Sequence, residues 1–169
     1  MNTSELLESV HMLVLQALDD FPEAQWDQPG ACGSWSVKDT VAHLTSYEQL
    51  LVEVLHSVQQ GEEPPAYVTQ ILHNTSEFNQ QEVAKRQYQT AQQVLNEFDD
   101  AQVQVSSLLK QIPEEELERK GTLPWFRADL SLANLLNGFG EHARKHSEQI
   151  IKFRKQNKQS LNEQNEQPF

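Results

Sequence analysis

The sequence predicts an all-α fold in which four amphipathic helices form one bundle domain. Three observations support this. Four segments carry apolar residues at steps of three and four, which is the period of an α-helix. Proline occurs 7 times in 169 residues, and only between these segments or in the tail. The stretches FPEAQW…GSWSVKD and IPEEEL…LPWFRAD repeat one design: a helix end, a Pro-Glu turn, a loop with tryptophan and a new helix. Two such helical hairpins pack as a four-helix bundle.

The first two helices have clear boundaries. The first spans about Thr3–Asp20 and ends before a Phe-Pro pair. The second spans about Ser36–Gln60, and a glycine and two prolines beyond it prevent its continuation. Its start is a capping box, because the Ser36 hydroxyl can accept from the Asp39 amide while the Asp39 carboxylate accepts from the Ser36 amide.

The second half of the chain predicts two further helical regions. The third spans about Val68–Ile112, with a break expected near RQYQT and a second capping box, Thr90 with Gln93, after the break. The fourth starts near Asp129 or Ser131 and runs to about Lys155. Residues 156–169 are polar without periodicity, so we expect a disordered tail after a bundle domain at residues 1–155.

Composition excludes several classes of partner. The formal net charge of −12 repels the phosphates of nucleic acids and anionic lipid head groups, so we expect neither nucleic acid nor a membrane as a partner. Cys32 is the only cysteine, which excludes an intrachain disulfide and fits a reducing compartment. The N-terminal stretch has no basic region typical of a signal peptide, and no apolar run is long enough to cross a bilayer. We therefore expect a cytoplasmic protein.

Two histidines lie within the apolar stripe of the fourth helix. In GEHARKHSEQI, His142 and His146 are four residues apart and lie within the stripe that spans Leu132–Phe153, so we expect both imidazoles on the face toward the core. His43, in KDTVAHLTSYE, flanks the stripe of the second helix and can face the same interior. Three neutral imidazoles are good ligands for zinc, nickel, iron or copper, and they leave coordination positions open, as reactive metal sites do.

The spacing leaves alternatives open. A histidine pair four residues apart also arises by chance among six histidines, and the imidazoles are then buried side chains that need only protein partners. Three other histidines can replace His43 as the third ligand: His11, His56 and His73. Asp39 and Tyr47 lie one turn from His43 and can orient its imidazole, although capping and packing are the simpler expectations for them.

Three more residues carry chemistry without a defined role. Cys32 lies just before the second helix, where a thiolate has a lowered pKa, although a small packing residue is the commoner use of such a cysteine. Glu48 and Glu141 can shuttle protons beside a metal-bound water, or are ordinary acids on a helix surface. The sequence identifies no catalytic residue.

The stretches GSWSVKDTVAHLTSYE and GEHARKHSEQI resemble the DinB-like superfamily, and the similarity extends over about Leu6–Lys155. The superfamily includes the DinB/YfiT metalloenzymes and the ClbS/DfsB proteins. The resemblance implies a four-helix bundle with up-down-down-up topology and a long crossover between helices two and three. It also implies a divalent metal ion, most often nickel or zinc, at one end of the bundle. Matching the motifs assigns the ligands to His43, His142 and His146.

The resemblance also implies a class of reaction. Known activities of the superfamily include hydrolysis, isomerisation and thiol transfer with low-molecular-weight thiols. We therefore hypothesise a metal-dependent hydrolase or thiol S-transferase that acts on a small electrophilic substrate, with a low-molecular-weight thiol as a candidate partner. The first motif and the following QGEEPP are equally close to the ClbS/DfsB branch, which offers an alternative: a protective small-molecule hydrolase or binding protein without metal. A non-enzymatic bundle that binds a partner or dimerises is a third hypothesis, and a homodimer is a candidate assembly in each case.

Overall fold

A computed structural model describes residues 2–60, 63–123 and 125–165 of the chain. These residues are mostly helical, as predicted, and they also contain a 3₁₀ turn at Glu23–Gln25 and a small antiparallel hairpin of β1 (Pro29–Cys32) and β2 (Trp35–Ser36). The helices are α1 (Thr3–Leu18), α2 (Val37–Gln60), α3 (Ala66–His73), α4 (Thr75–Lys85), α5 (Ala91–Leu109), α6 (Glu114–Glu118) and α7 (Leu132–Asn165).

Both predicted capping boxes form. The Ser36 hydroxyl accepts from the Asp39 amide at 3.0 Å, and the Asp39 carboxylate accepts from the Ser36 amide at 3.0 Å. Thr90 and Gln93 make the same reciprocal pair at the start of α5, with distances of 3.1 and 2.8 Å. Each box satisfies two amides that have no partner within the helix, so the start of α2 is set by its local sequence.

The long helices pair as α1 with α7 and α2 with α5. Their apolar faces form two clusters of buried residues, one around Val14, Phe98 and Ile150 and the other around Leu51 and Leu136. Burial of each large apolar side chain contributes on the order of 1.5–3 kcal/mol. The up-down-down-up order of a four-helix bundle stays a prediction. No helix in the described ranges combines the length and apolar character that crossing a membrane requires.

The third helical region is not one helix with a single break. The expected break after α4 is present, but a second break lies at Asn74, whose φ of −156° and ψ of 99° are not helical. The Asn74 side chain accepts from the Glu77 amide at 3.1 Å and so caps α4. Asparagine competes for backbone hydrogen bonds in this way, which makes it a helix boundary more often than an interior residue.

The prediction of a disordered tail is wrong for residues 156–165, which continue α7 to Asn165. Glutamine, lysine, leucine and glutamate are good helix formers, and extending an existing helix avoids the cost of nucleation. Polar composition therefore did not imply disorder in a segment joined to a packed helix. Residues 166–169 of the predicted tail lie outside the described part of the chain.

A buried ionic network fastens α4 to α2 and α5. The Arg86 guanidinium donates to both carboxylate oxygens of Glu97 at 2.9 Å and to the Gln49 side-chain oxygen at 2.9 Å. It also donates to Glu82, which is 1% exposed, at 3.2 Å. Tyr67 donates to the same Glu82 carboxylate. A buried charge that loses its partner is costly, so this network holds α4 in a defined position beside α2.

Candidate metal centre

The three predicted histidines lie together in the structure. His142 and His146 are one turn apart on α7, and His43 reaches them from α2. The Nε2 atom of His142 lies 3.0 Å from Nε2 of His43 and 3.1 Å from Nε2 of His146. One ring nitrogen from each histidine lies within 4.8 Å of the other two. The structure thus brings an intrahelical pair and a residue 99 positions away into one cluster.

Burial keeps these imidazoles neutral. His43 is 3% exposed and His146 is 9% exposed, while His142 is half-buried. Burial lowers the pKa of His43 to about 3, helped by the repulsion between its protonated ring and those of His142 and His146. Burial, with His146 and Lys145 nearby, lowers the pKa of His142 to about 4. Burial also lowers the pKa of His146, against a hydrogen bond to Gln149 that raises it. At neutral pH each ring therefore has a lone pair to offer.

Gln149 determines which nitrogen of His146 carries the proton. Its side-chain oxygen lies 2.8 Å from Nδ1 of His146. An amide oxygen only accepts, so Nδ1 of His146 donates and Nε2 is left bare, facing the cluster. Gln149 lies three residues after His146 on the same helix, and this spacing could have identified it from the sequence as a partner of the His146 ring.

The three neutral imidazoles have too few protons to form a hydrogen bond at each short nitrogen–nitrogen contact of the cluster. With Nε2 of His146 bare, a hydrogen bond to it requires the proton on Nε2 of His142, and that single proton cannot also serve the contact with His43. If His43 donates to His142 instead, the Nε2 atoms of His142 and His146 face each other without a proton. In either arrangement Nδ1 of His43 is buried without a hydrogen-bond partner. An unpaired buried polar group costs about 1–3 kcal/mol. Three lone pairs directed at a common cation would remove the conflict between the Nε2 atoms.

The spacing of the nitrogens also fits a cation. With nitrogen–metal distances of about 2.0–2.1 Å, two ligand nitrogens lie about 3 Å apart at a right-angled geometry and about 3.4 Å apart at a tetrahedral one. The measured separations of 3.0 and 3.1 Å agree with this range. Within the described residues, no other three histidine, cysteine or acidic side chains bring their ligand atoms within 4.8 Å of one another.

Two aromatic rings pack against His43 and fix the orientation of its imidazole. The Trp35 ring centroid lies 4.9 Å from that of His43, and the Tyr47 centroid lies 4.7 Å from it. Tyr47 also packs on His142 at 4.6 Å and donates through its hydroxyl to Asn79 at 3.1 Å. Asp39 caps α2 and Tyr47 packs, as the simpler expectations had it. Asn79 comes from α4, and nothing in the sequence pattern connects it to the site.

The other histidines lie elsewhere. Nε2 of His11 is 3.2 Å from the Asp99 carboxylate, and its ring stacks on Phe98 at 4.7 Å. His56 and His73 are exposed. None of these three joins the described cluster, so the choice of His43 as the third member agrees with the geometry.

The acids and the cysteine have separate surroundings. Burial raises the pKa of Glu48, a partly exposed side chain on α2, to about 7. Glu141 is exposed and pairs with Arg144 at 2.7 Å, which lowers the pKa of its carboxyl. Burial raises the pKa of the Cys32 thiol, against a hydrogen bond to Gln149 that lowers it. The thiol is therefore protonated at neutral pH, contrary to the lowered pKa expected near a helix start.

Comparisons with known proteins place the fold and the family. The chain resembles the crystal structure of a protein from Streptococcus pneumoniae, with a TM-score of 0.78 over 90% of this chain and 88% of that chain. At 13% sequence identity this likeness concerns the fold alone. A comparison with curated proteins finds no match. The profile of the DinB superfamily matches residues 6–150, a span that contains all three histidines of the cluster and most of the chain. The chain belongs to the DinB superfamily.

Proposed function

We propose that the protein is a metal-dependent enzyme that holds nickel or zinc through His43, His142 and His146. The observation that carries the proposal is the convergence of three Nε2 atoms from neutral, buried imidazoles, two of them 3.0 and 3.1 Å from the third. Imidazole is a ligand suited to zinc and nickel, and three protein ligands leave room for a water molecule or a substrate. The four helices α1, α2, α5 and α7 form the proposed up-down-down-up bundle.

We infer a hydrolase or thiol S-transferase that acts on a small electrophile. A divalent ion at such a site lowers the pKa of a bound water or thiol and so supplies a nucleophile at neutral pH. His43 and His146 are held by packing and by Gln149, so they would meet an ion without large rearrangement. Burial raises the pKa of Tyr47, so its hydroxyl remains a hydrogen-bond donor beside His142.

The proposed partners follow from the same features. The substrate is a small molecule, with a low-molecular-weight thiol as the co-substrate of the transferase reaction. The net charge of −12 supports a protein without nucleic acid or membrane partners, and the single cysteine supports a reducing compartment such as the cytoplasm. We also propose that the protein forms a homodimer, and sedimentation of the same sample measures its mass in solution.

Metal analysis of untagged protein tests the proposal. We expect close to one equivalent of nickel or zinc after loading, and loss of binding in His43→Ala and His146→Ala. His73→Ala, which changes an exposed histidine outside the cluster, is the matched control and should bind as wild type does. Less than a tenth of an equivalent in wild type, with no gain on adding Ni²⁺ or Zn²⁺, would refute the proposal. Activity that survives both chelation and His146→Ala would favour the metal-free protective protein.

A further inference from the structure

An apolar groove of about 360 Å³ ends at the three-histidine cluster. Its walls come from three parts of the chain: Tyr47 on α2, Phe126 and Leu130 from the segment before α7, and Leu135, Phe139 and His142 on α7. The α7 residues share one helix face, since they lie four, then three, positions apart. Phe126, Leu135 and Phe139 also pack against the buried core, which keeps these walls in place.

The groove has no charge at neutral pH. None of its wall residues is an acid, a lysine or an arginine. Two of the remaining polar groups already have partners within the protein. The Asn134 side-chain oxygen accepts from the Ser131 hydroxyl at 2.9 Å, and the Tyr47 hydroxyl donates to Asn79. A charged or strongly polar occupant would lose its hydration there without gaining partners, whereas an apolar one would lose little.

His142 connects the groove to the centre. Its ring forms part of the groove wall, and its Nε2 atom is the one that contacts both His43 and His146. Tyr47 lies beside it, with ring centroids 4.6 Å apart. A molecule in the groove is therefore separated from the cluster by no more than the imidazole it touches.

A second cavity on the other side of Tyr47 has different chemistry. This cleft, of about 590 Å³, is larger and is lined mainly by hydroxyl, amide and thiol side chains, among them Cys32, Ser76 and Asn79. It reaches the cluster through Trp35, through the Asn79–Tyr47 hydrogen bond and through Cys32, which is hydrogen-bonded to the Gln149 side chain that contacts His146. Volume alone favours the cleft, but the direct contact with His142 favours the groove.

We propose that the groove binds the uncharged, apolar part of the small substrate on which the three-histidine centre acts. This inference rests on the proposed metal-dependent function, because it assigns a substrate class to that site. The electrophile is accordingly a neutral molecule with an aromatic or aliphatic body of modest size.

Gly138 allows the groove to be filled without damage to the fold. It lies on the groove wall within α7, and a Cβ added there would meet no atom within 4 Å. Replacing a helical glycine by a residue with a side chain is favourable in helix propensity. Gly138→Leu therefore occupies the groove in a chain that still folds, and Asn137→Leu places the same side chain on the same helix outside the groove.

The test measures the binding of indole, a neutral aromatic probe, by NMR titration. We expect saturable binding to wild type, a Kd raised at least tenfold in Gly138→Leu, and an unchanged Kd in Asn137→Leu and in Ser76→Leu of the cleft. In Co²⁺-loaded protein, the relaxation of indole protons should be enhanced in wild type but not in Gly138→Leu. Circular dichroism melts of each variant verify folding.

Separate readouts distinguish failure of this inference from failure of the proposed function. Metal stoichiometry, measured on the same variants, reports on the three histidines and should be equal in wild type and Gly138→Leu. The groove assignment is overturned if wild type does not bind indole, if Gly138→Leu binds it as well as wild type, or if Ser76→Leu rather than Gly138→Leu abolishes binding. Indole binding without paramagnetic enhancement would overturn the link between the groove and the centre.

Discussion

Acidification is expected to destabilise the metal-free protein by protonating His43, and the substitution His43→Gln isolates this effect. Burial lowers the pKa of His43 from 6.5 to about 3. Between these two values the unfolded chain binds a proton at this position and the folded chain does not. Stability rises with pH wherever the unfolded state binds more protons, so the contribution of His43 is full above pH 6.5 and is lost as pH falls toward 3.

The magnitude follows from the separation of the two pKa values. Each pH unit between them changes the free energy of unfolding by about 1.4 kcal/mol, so His43 accounts for a loss of about 2 kcal/mol between pH 7 and pH 5. This corresponds to roughly a thirtyfold change in the folding equilibrium.

Urea unfolding in the presence of EDTA, at pH 8, 7, 6 and 5, measures this difference. Glu48 acts in the opposite direction over the same range, and the comparison of wild type with His43→Gln cancels its contribution. The substitution also changes packing, but that cost does not depend on pH. We expect the free energy of unfolding of the variant to fall about 2 kcal/mol less than that of wild type between pH 7 and pH 5. The exposed-site control, His73→Gln, should follow wild type.

Parallel curves for wild type and His43→Gln, within about 0.5 kcal/mol at every pH, would refute the reasoning. Such a result would mean that His43 exchanges protons in the folded protein as freely as in the unfolded chain. The low pKa assigned to His43 would then be wrong, and so would the inference that its ring is neutral and offers a lone pair to a metal.

Three further outcomes are expected. Zinc at one hundred times its Kd should stabilise wild type by about 2.7 kcal/mol in thermal or urea melts. Because the pKa values of the three histidines are low, this stabilisation should persist below pH 6.5. Its absence at pH 6 would contradict the neutral cluster. Gln149→Leu should weaken metal affinity about 10–100-fold in a chelator competition, since it removes the partner of His146, whereas unchanged affinity would show that packing alone orients the ring. Glu48→Gln should raise the free energy of unfolding by on the order of 2 kcal/mol at pH 8 and by less at pH 5, because its carboxyl, with a pKa of about 7, is charged in the folded protein only at the higher pH. Equal gains at both pH values would point to packing instead.

Local sequence determined the helix starts and the histidine pair. Reciprocal hydrogen bonds at Ser36 and Thr90 need only the right residue three positions later, and both capping boxes form as predicted. His142 and His146 share a face because a helix turns once in about 3.6 residues. The same local reasoning failed beyond Lys155, where the end of α7 depends on continuation from a packed helix more than on the polarity of the tail.

Tertiary structure decided what surrounds the pair. His43 meets His142 across 99 positions of the chain, which helix periodicity cannot predict and which the family resemblance supplied. Asn79 reaches Tyr47 because the buried Arg86 network fixes α4 against α2, and the apolar groove exists only where two helices and a loop segment converge. The sequence by itself determined which residues share a helix face, because that depends on bond geometry within a few residues. Only the folded chain decided which faces meet, how far the imidazole pKa values fall and which cavity reaches the centre, because these depend on desolvation and packing between distant segments.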